Sequence, residues 1–268
     1  MNDVFDFVMT EHAAWLPADG AVRRVVSAAE TGRWLATVRG SALQLDALMA
    51  ATTKPVPDVF TLTSGLGEVA ELATALRGLG AVARLRNTDL WDAIGTAIIR
   101  QVIRAGQSKK LYRAFCAAYG ERVELPNGGA YELFPTPEIV LKLSDEQFSS
   151  IGMAFKRRPL MEAARSFMER GAQWQQLAPH ALIEALQSVP RIGPWTARAA
   201  VADWCNDWSL YPYNDLAVRT WATRAAPSFD WPKDEQQFGR VWRALAGEDL
   251  SSLTLLTLAW GSQHGDIG

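Results

Sequence analysis

The sequence predicts a mainly α protein with a small α+β domain, built on an antiparallel sheet, ahead of its helices. Three observations lead there. Short β-leaning runs separated by turn residues fill residues 1–63, and from Thr88 onward the apolar period is helical. Within the helical part, Pro190 and Pro194 bracket Arg191-Ile192-Gly193, which forces two helices apart at a tight turn, because proline is tolerated at a helix's first position but not inside one. With 268 residues, 49% hydrophobic and 21% charged, the chain can bury a sizeable core. We expect an N-terminal domain over 1–87 and a helical region over 88–268.

Taken in order, residues 4–9, 22–28, 34–38 and 42–49 read as strands. Pro17-Ala-Asp-Gly20, Thr31-Gly32 and Arg39-Gly40-Ser41 are the turns between them. Residues 65–80 read as one helix with Leu66, Val69, Leu72, Ala73 and Leu76 on a face. Thr88 is the expected cap of a helix whose stripe is Trp91, Ile94, Ile98 and Val102. Ser108 is expected to open the next. Thr136-Pro137 reads as a cap with proline at the first helical position, and Ser144-Asp-Glu-Gln147 as a capping box. Residues 156–170 form an amphipathic helix expected to stop at Gly171, and 180–189 leads into the hairpin, which spans about 182–204. Residues 234–246 and 252–260 are the last two helices.

The hairpin is the most informative stretch. A turn of this kind points the N–H groups of Ile192, Gly193 and the following first helical turn outward, where they can cradle an anion. A nucleic-acid phosphate is the leading candidate. The net charge of −2 argues against this, since such binding depends on Lys and Arg. The distribution answers part of the objection. Arg100, Arg104, Lys109, Lys110 and Arg113 lie in a run with no acidic residue, as do Lys156, Arg157 and Arg158, and the hairpin itself has Arg191 and Arg198. Taken singly, each cluster also fits an ordinary solvated helix face.

Other chemistries find little support. Cys116 and Cys205 are too few for a cluster held by four thiolates and lack zinc-ligand spacing, so both read as small buried hydrophobes. The three histidines form no helical metal pair, and no metal site is expected. The start of the chain, Met-Asn-Asp-Val-Phe-Asp, is acidic, and no run approaches the roughly 18 apolar residues of a membrane span, so a cytoplasmic, nucleoid-associated location is expected.

LQSVPRIGPWTA, followed by YPYNDLAVR, resembles the helix-hairpin-helix DNA glycosylases, and most of all the 3-methyladenine DNA glycosylase II branch. The likeness extends through most of residues 88–262, including AIIRQVI and FPTPEIVLKLSDEQFSSIGM; in the N-terminal part it is architectural only. It implies a cofactor-free enzyme that acts on duplex DNA, flips out a damaged base and cuts its N-glycosidic bond; nothing in the pattern marks a self-complementary surface, so a monomer is expected. Asp215, in a catalytic loop at about 208–216, is then the catalytic carboxylate; it is equally placed to cap the next helix. Trp195 stands where strand-cleaving members carry a Schiff-base lysine, which implies glycosylase activity without lyase activity.

The same resemblance makes Val102, or Ile103, the wedge that fills the gap left by the flipped base, with core packing as the alternative for Val102. It places Trp195, Ala199, Leu216 and Ser251 at the base pocket. Arg191, Ile192, Gly193, Thr196 and Arg198 fall on the DNA-binding hairpin, and Gln101, Arg104, Lys156, Arg157 and Arg219 are expected near phosphates. Three departures bear on substrate: Arg191 replaces the family's usual glycine, and Ala199 and Ser251 stand where the branch has pocket aromatics. They imply a wider pocket for alkylated or otherwise modified bases. The alternatives are a glycosylase for bulky or hypermodified bases, or a non-catalytic binder of damaged DNA.

Overall fold

The computed structural model describes residues 3–28, 32–49, 52–126 and 128–265. Its architecture is the expected one, an antiparallel sheet followed by packed helices. Strands β1 (Asp3–Val4), β2 (Phe7–Val8), β3 (Leu16–Ala18), β4 (Ala21–Ala28), β5 (Gly32–Arg39) and β6 (Ala42–Ala47) open the chain. All but β2 form one sheet in the order β1-β6-β5-β4-β3. The β4–β5 register runs from Val22 opposite Val38 to Ala28 opposite Gly32, which sends Val26, Ala36 and Val38 to one face. Asp19 and Gly20 turn β3 into β4 with φ of 45° and 71°, so the Pro17 segment expected as a turn supplies a strand as well. Thr31 of the next expected turn lies outside the described residues.

A second small sheet, in the order β2-β8-β7, joins β7 (Asp58–Phe60) and β8 (Val82–Arg84). Between them lies α1 (Ala70–Arg77), half the length expected. The segment 65–69 is not helical because Leu66 and Gly67 take φ of 53° and 50°. The Asp249 carboxylate holds the preceding chain by accepting bonds from the Thr63 hydroxyl and the Ser64 N–H.

The helical region comprises α2 (Leu90–Arg100), α3 (Ala105–Tyr119), a β9 (Arg122–Glu124) and β10 (Ala130–Glu132) hairpin, α4 (Pro137–Lys142), α5 (Asp145–Ser150), α6 (Ala154–Trp174), α7 (Pro179–Gln187), α8 (Pro194–Cys205), α9 (Leu216–Ala225), α10 (Glu235–Ala246) and α11 (Leu250–His264). Thr136 and Ser144 cap α4 and α5 as expected. Asp89, not Thr88, caps α2: its carboxylate accepts the Trp91 and Asp92 N–H groups, while the Thr88 hydroxyl donates to the Ser27 carbonyl in β4. Ser108 does not open α3, which starts at Ala105; its hydroxyl donates to the Ala105 carbonyl within the first turn. Helix α6 runs through Gly171 because the fully buried Trp174 anchors its last turn.

Helix α2 is buried along nearly its whole length and packs against α6 and α8. One apolar core gathers these helices together with Met9, Phe60, Leu72 and Leu76 from before residue 87. A buried ionic knot crosses the same junction. The Arg84 guanidinium donates to Asp203 and Asn206 at the end of α8, and to Glu11 at 3.2 Å. Burial opposes the Asp203 charge, but Arg84 outweighs it and holds that carboxyl well below the usual range. Asn87 bridges Asp203 to Asp92, whose carboxylate also accepts from the Tyr112 hydroxyl at 2.9 Å.

Candidate active site

The hairpin between α7 and α8 turns on Arg191, whose φ is 70°. A left-handed non-glycine residue costs roughly 1–2 kcal/mol, so arginine sits with strain at the position where the resembled family usually has glycine. The turn exposes less backbone than the sequence suggested. The Ile192 N–H donates to the Val189 carbonyl at 3.1 Å, and the Ile192 side chain is buried, anchoring the turn in the core. Thr196 is buried too, so neither residue faces outward. The Arg191 side chain, Gly193 and Pro194 are exposed, and the first turn of α8 has no side-chain cap. Those N–H groups are left without a side-chain acceptor at the helix N-terminus.

Gln101 ties this hairpin to the end of α2. Its side-chain amide donates to the Thr196 hydroxyl at 2.8 Å and to the Arg191 carbonyl at 3.2 Å. The helix has already ended at Arg100, so Val102 leaves the apolar stripe on which the sequence placed it. It sits at φ 60° and is fully exposed. A β-branched residue in the left-handed region is a genuine outlier, held only by its surroundings. Beneath it, the buried Lys156 donates from Nζ to the Gln101 carbonyl at 2.6 Å. Lys156 therefore supports this turn from inside and is not placed to meet a phosphate. Ile103 is half-buried.

The loop before α9 delivers Asp215. Its backbone takes the cap conformation, yet its side chain makes no capping bond. The carboxylate instead accepts from the Tyr211 hydroxyl at 3.3 Å, and Arg100 donates to that same hydroxyl at 3.1 Å. Burial pushes Tyr211 up to about 12, so its proton stays in place. Burial also works against the Arg100 charge, but Tyr211 and Asp215 outweigh it and keep the guanidinium protonated. The Arg100 guanidinium lies 5.6 Å above the Trp195 ring. Neither Arg100 nor Tyr211 was singled out from sequence as a site residue, and only the fold brings them, 111 residues apart, to one carboxylate.

Asp215 opens onto a cavity of about 940 Å³ between α8, the 212–216 loop and α10. Trp195 and Leu216, expected at a base pocket, line it; so do Arg198, expected on the hairpin, and Gln236, Gly239, Arg240 and Arg243 of α10, which the sequence reading passed over. Ala199 and Ser251 do not line it. Ala199 is packed in the core, and the Ser251 hydroxyl accepts the Trp208 N–H at 2.9 Å, buttressing the loop from behind. Among the expected phosphate contacts, Arg104 is exposed, whereas Arg157 pairs with Asp145 at 2.6 Å and Arg219 with Glu235 at 2.8 Å. None of the residues lining the cavity is a lysine.

No family model and no curated sequence matches the chain. Solved structures do match its fold over its full length. The 3-methyladenine DNA glycosylase from Archaeoglobus fulgidus superposes with a TM-score of 0.72 at 16% identity, covering 99% of both chains. The Clostridium acetobutylicum 8-oxoguanine glycosylase/lyase, solved with double-stranded DNA containing cytosine opposite 8-oxoguanine, superposes with a TM-score of 0.71 at 14% identity and 99% coverage of each. The Schizosaccharomyces pombe 3-methyladenine DNA glycosylase, in complex with abasic DNA, matches 68% of this chain and 84% of its own with a TM-score of 0.54 at 16% identity. The chain has the fold of the helix-hairpin-helix DNA glycosylases, and that likeness does not single out the 3-methyladenine branch. No helix among the described residues is long and apolar enough to cross a membrane.

Proposed function

We propose that the protein is a monofunctional DNA glycosylase that acts as a monomer on duplex DNA in the nucleoid, flips a modified base out of the stack and hydrolyses its N-glycosidic bond. The observation that carries this reading is a single line of parts. A strained, fully exposed Val102 is pinned through Gln101 to an uncapped helical hairpin, and Asp215 stands at the mouth of a base-sized or larger cavity beside them. Val102 enters the stack and the hairpin holds the backbone phosphate. As the bond between sugar and base breaks, its electron pair leaves with the base and positive charge builds on the sugar. The Asp215 carboxylate stabilises that charge and orients the water that completes hydrolysis. Trp195 and the absence of a lysine from the cavity wall support hydrolysis over Schiff-base chemistry.

The test is incubation with duplexes carrying 7-methylguanine, 3-methyladenine, ethenoadenine, hypoxanthine, uracil or a bulky adduct, with abasic sites scored by heat or alkali. Release of at least one base, with no borohydride-trapped covalent adduct, is expected. Binding without release from any duplex would make the protein a damage binder.

A further inference from the structure

We infer that the cavity beside Asp215 accepts a nucleobase bearing a carboxylate substituent and rejects cationic methylpurines. The inference rests on the glycosylase reading, which makes this cavity the destination of the flipped base.

Size is the first argument. About 940 Å³ lies at the upper end of the range of roughly 300–1,000 Å³ that holds drug-sized ligands, and a bare methylated base leaves most of it empty. The room lies toward α10, where Gly239 faces the loop. A Cβ there would meet Asn214 and Tyr213 carbons at 3.6 Å, so any longer side chain would grow into the cavity between helix and loop.

Charge is the second. Gln236, Arg240 and Arg243 project from one face of α10, at the spacing that stacks side chains on successive turns, and Arg198 comes from α8. None of these three arginines has an ion-pair partner among the described residues. Arg243 donates to the neutral Tyr213 hydroxyl, through Nε at 3.0 Å. The Glu235 carboxylate at the rim is already neutralised by Arg219. The remaining carboxylate, Asp215, sits with Arg100 behind it. Surplus guanidinium charge on a concave wall attracts an anion, and the arginine fork matches a carboxylate bidentately.

A cationic methylpurine meets the opposite situation. Aromatic faces are the usual cradle for such a ring, but one face of Trp195 already carries the Arg100 guanidinium, whose charge repels a cation. The same wall serves the chemistry of a poorer leaving group. An uncharged purine departs as an anion, taking the electron pair of the glycosidic bond, while the water oxygen bonds to the sugar carbon and its proton passes to the base. The arginines line the cavity that, on this reading, receives the departing base.

The test compares single-turnover release from duplexes carrying N2-carboxyethylguanine, its uncharged carboxamide analogue and 7-methylguanine, with an unmodified duplex for affinity. The carboxylate base is expected to leave faster than the carboxamide by about tenfold or more, and faster than 7-methylguanine. Arg240→Gln and Arg198→Gln should erase that preference, and Gly239→Leu should slow the carboxyethyl base most. Equal release of carboxylate and carboxamide, or fastest release of 7-methylguanine, overturns the inference and leaves the glycosylase reading standing. Loss of affinity for the unmodified duplex equal to that for the modified ones, in the arginine variants, assigns those side chains to phosphates and also overturns it. No release of any base sinks the glycosylase reading, and this inference with it.

Discussion

The buried Lys156 ammonium donates to the Gln101 carbonyl at 2.6 Å, one residue before the exposed Val102. On the proposed reading Val102 is the wedge; a wedge must resist being pushed back when it enters the base stack, and this bond would be its backing. Burial pushes Lys156 down to about 8, so as pH rises through 8 the amine loses its charge and the bond loses its charge assistance. Base flipping, followed by 2-aminopurine fluorescence, should decline with a midpoint near that pH. Lys156→Met should flip about fivefold less at neutral pH and show no such midpoint. A Met variant with the wild-type pH profile would remove Lys156 from this role.

Val102→Gly separates stability from function. Relief of the left-handed strain should stabilise the fold by about 1 kcal/mol. Loss of the wedge should at the same time reduce base release. A calorimetric Tm that rises while single-turnover release falls is the expected pair of results; a fall in both would mean that Val102 packs against something in the folded protein.

Asp215→Asn should leave folding and DNA affinity intact and reduce base release by about a hundredfold or more. The absence of a capping bond from its side chain is what makes the fold tolerant of the change. Circular dichroism, DNA binding and release measured on one preparation decide the matter, and near-normal release would end the assignment.

Tyr211→Phe removes the hydroxyl shared by Arg100 and Asp215. The expected cost is about 1 kcal/mol in the barrier, or roughly fivefold in rate, with KM for the duplex little changed. A change in KM alone would place Tyr211 in DNA binding.

Asp92 provides a stability prediction. Burial raises its carboxyl to about 7, although Arg24 lies 3.7 Å away. The folded form therefore holds a proton that the unfolded chain has released. Stability from this group is fully present below about pH 4 and is lost as pH rises to 7, by up to about 1.4 kcal/mol per pH unit. Thermal unfolding of Asp92→Asn between pH 4 and 8 should show a shallower decline than wild type; parallel curves would refute the coupling.

What was legible in the sequence was what is local. Alternation with turn residues set out β4, β5 and β6, and side-chain caps marked α4 and α5. Thr88 and Asp89 are adjacent and both favoured caps, so choosing between them required knowing that Ser27 claims the threonine hydroxyl. The hairpin could be read from its bracketing prolines, and Asp215 came from the family resemblance. Arg100, Tyr211 and the α10 wall could not, because arginines at helical spacing look like any solvated face until another element is set opposite them across a cavity. Ser251 shows the same limit from the other side. Counting along a helix placed it near the pocket, whereas the Trp208 N–H takes its hydroxyl behind the loop.

Helix α8 carries the hairpin and Trp195 at one end and Asp203, gripped by Arg84, at the other. Its 12 residues span about 18 Å of rigid rod. The rod is anchored at its far end to β8 of the small second sheet. Loss of Arg84 would free that end, and on the proposed glycosylase reading the placement of the hairpin on DNA would suffer before the step at Asp215.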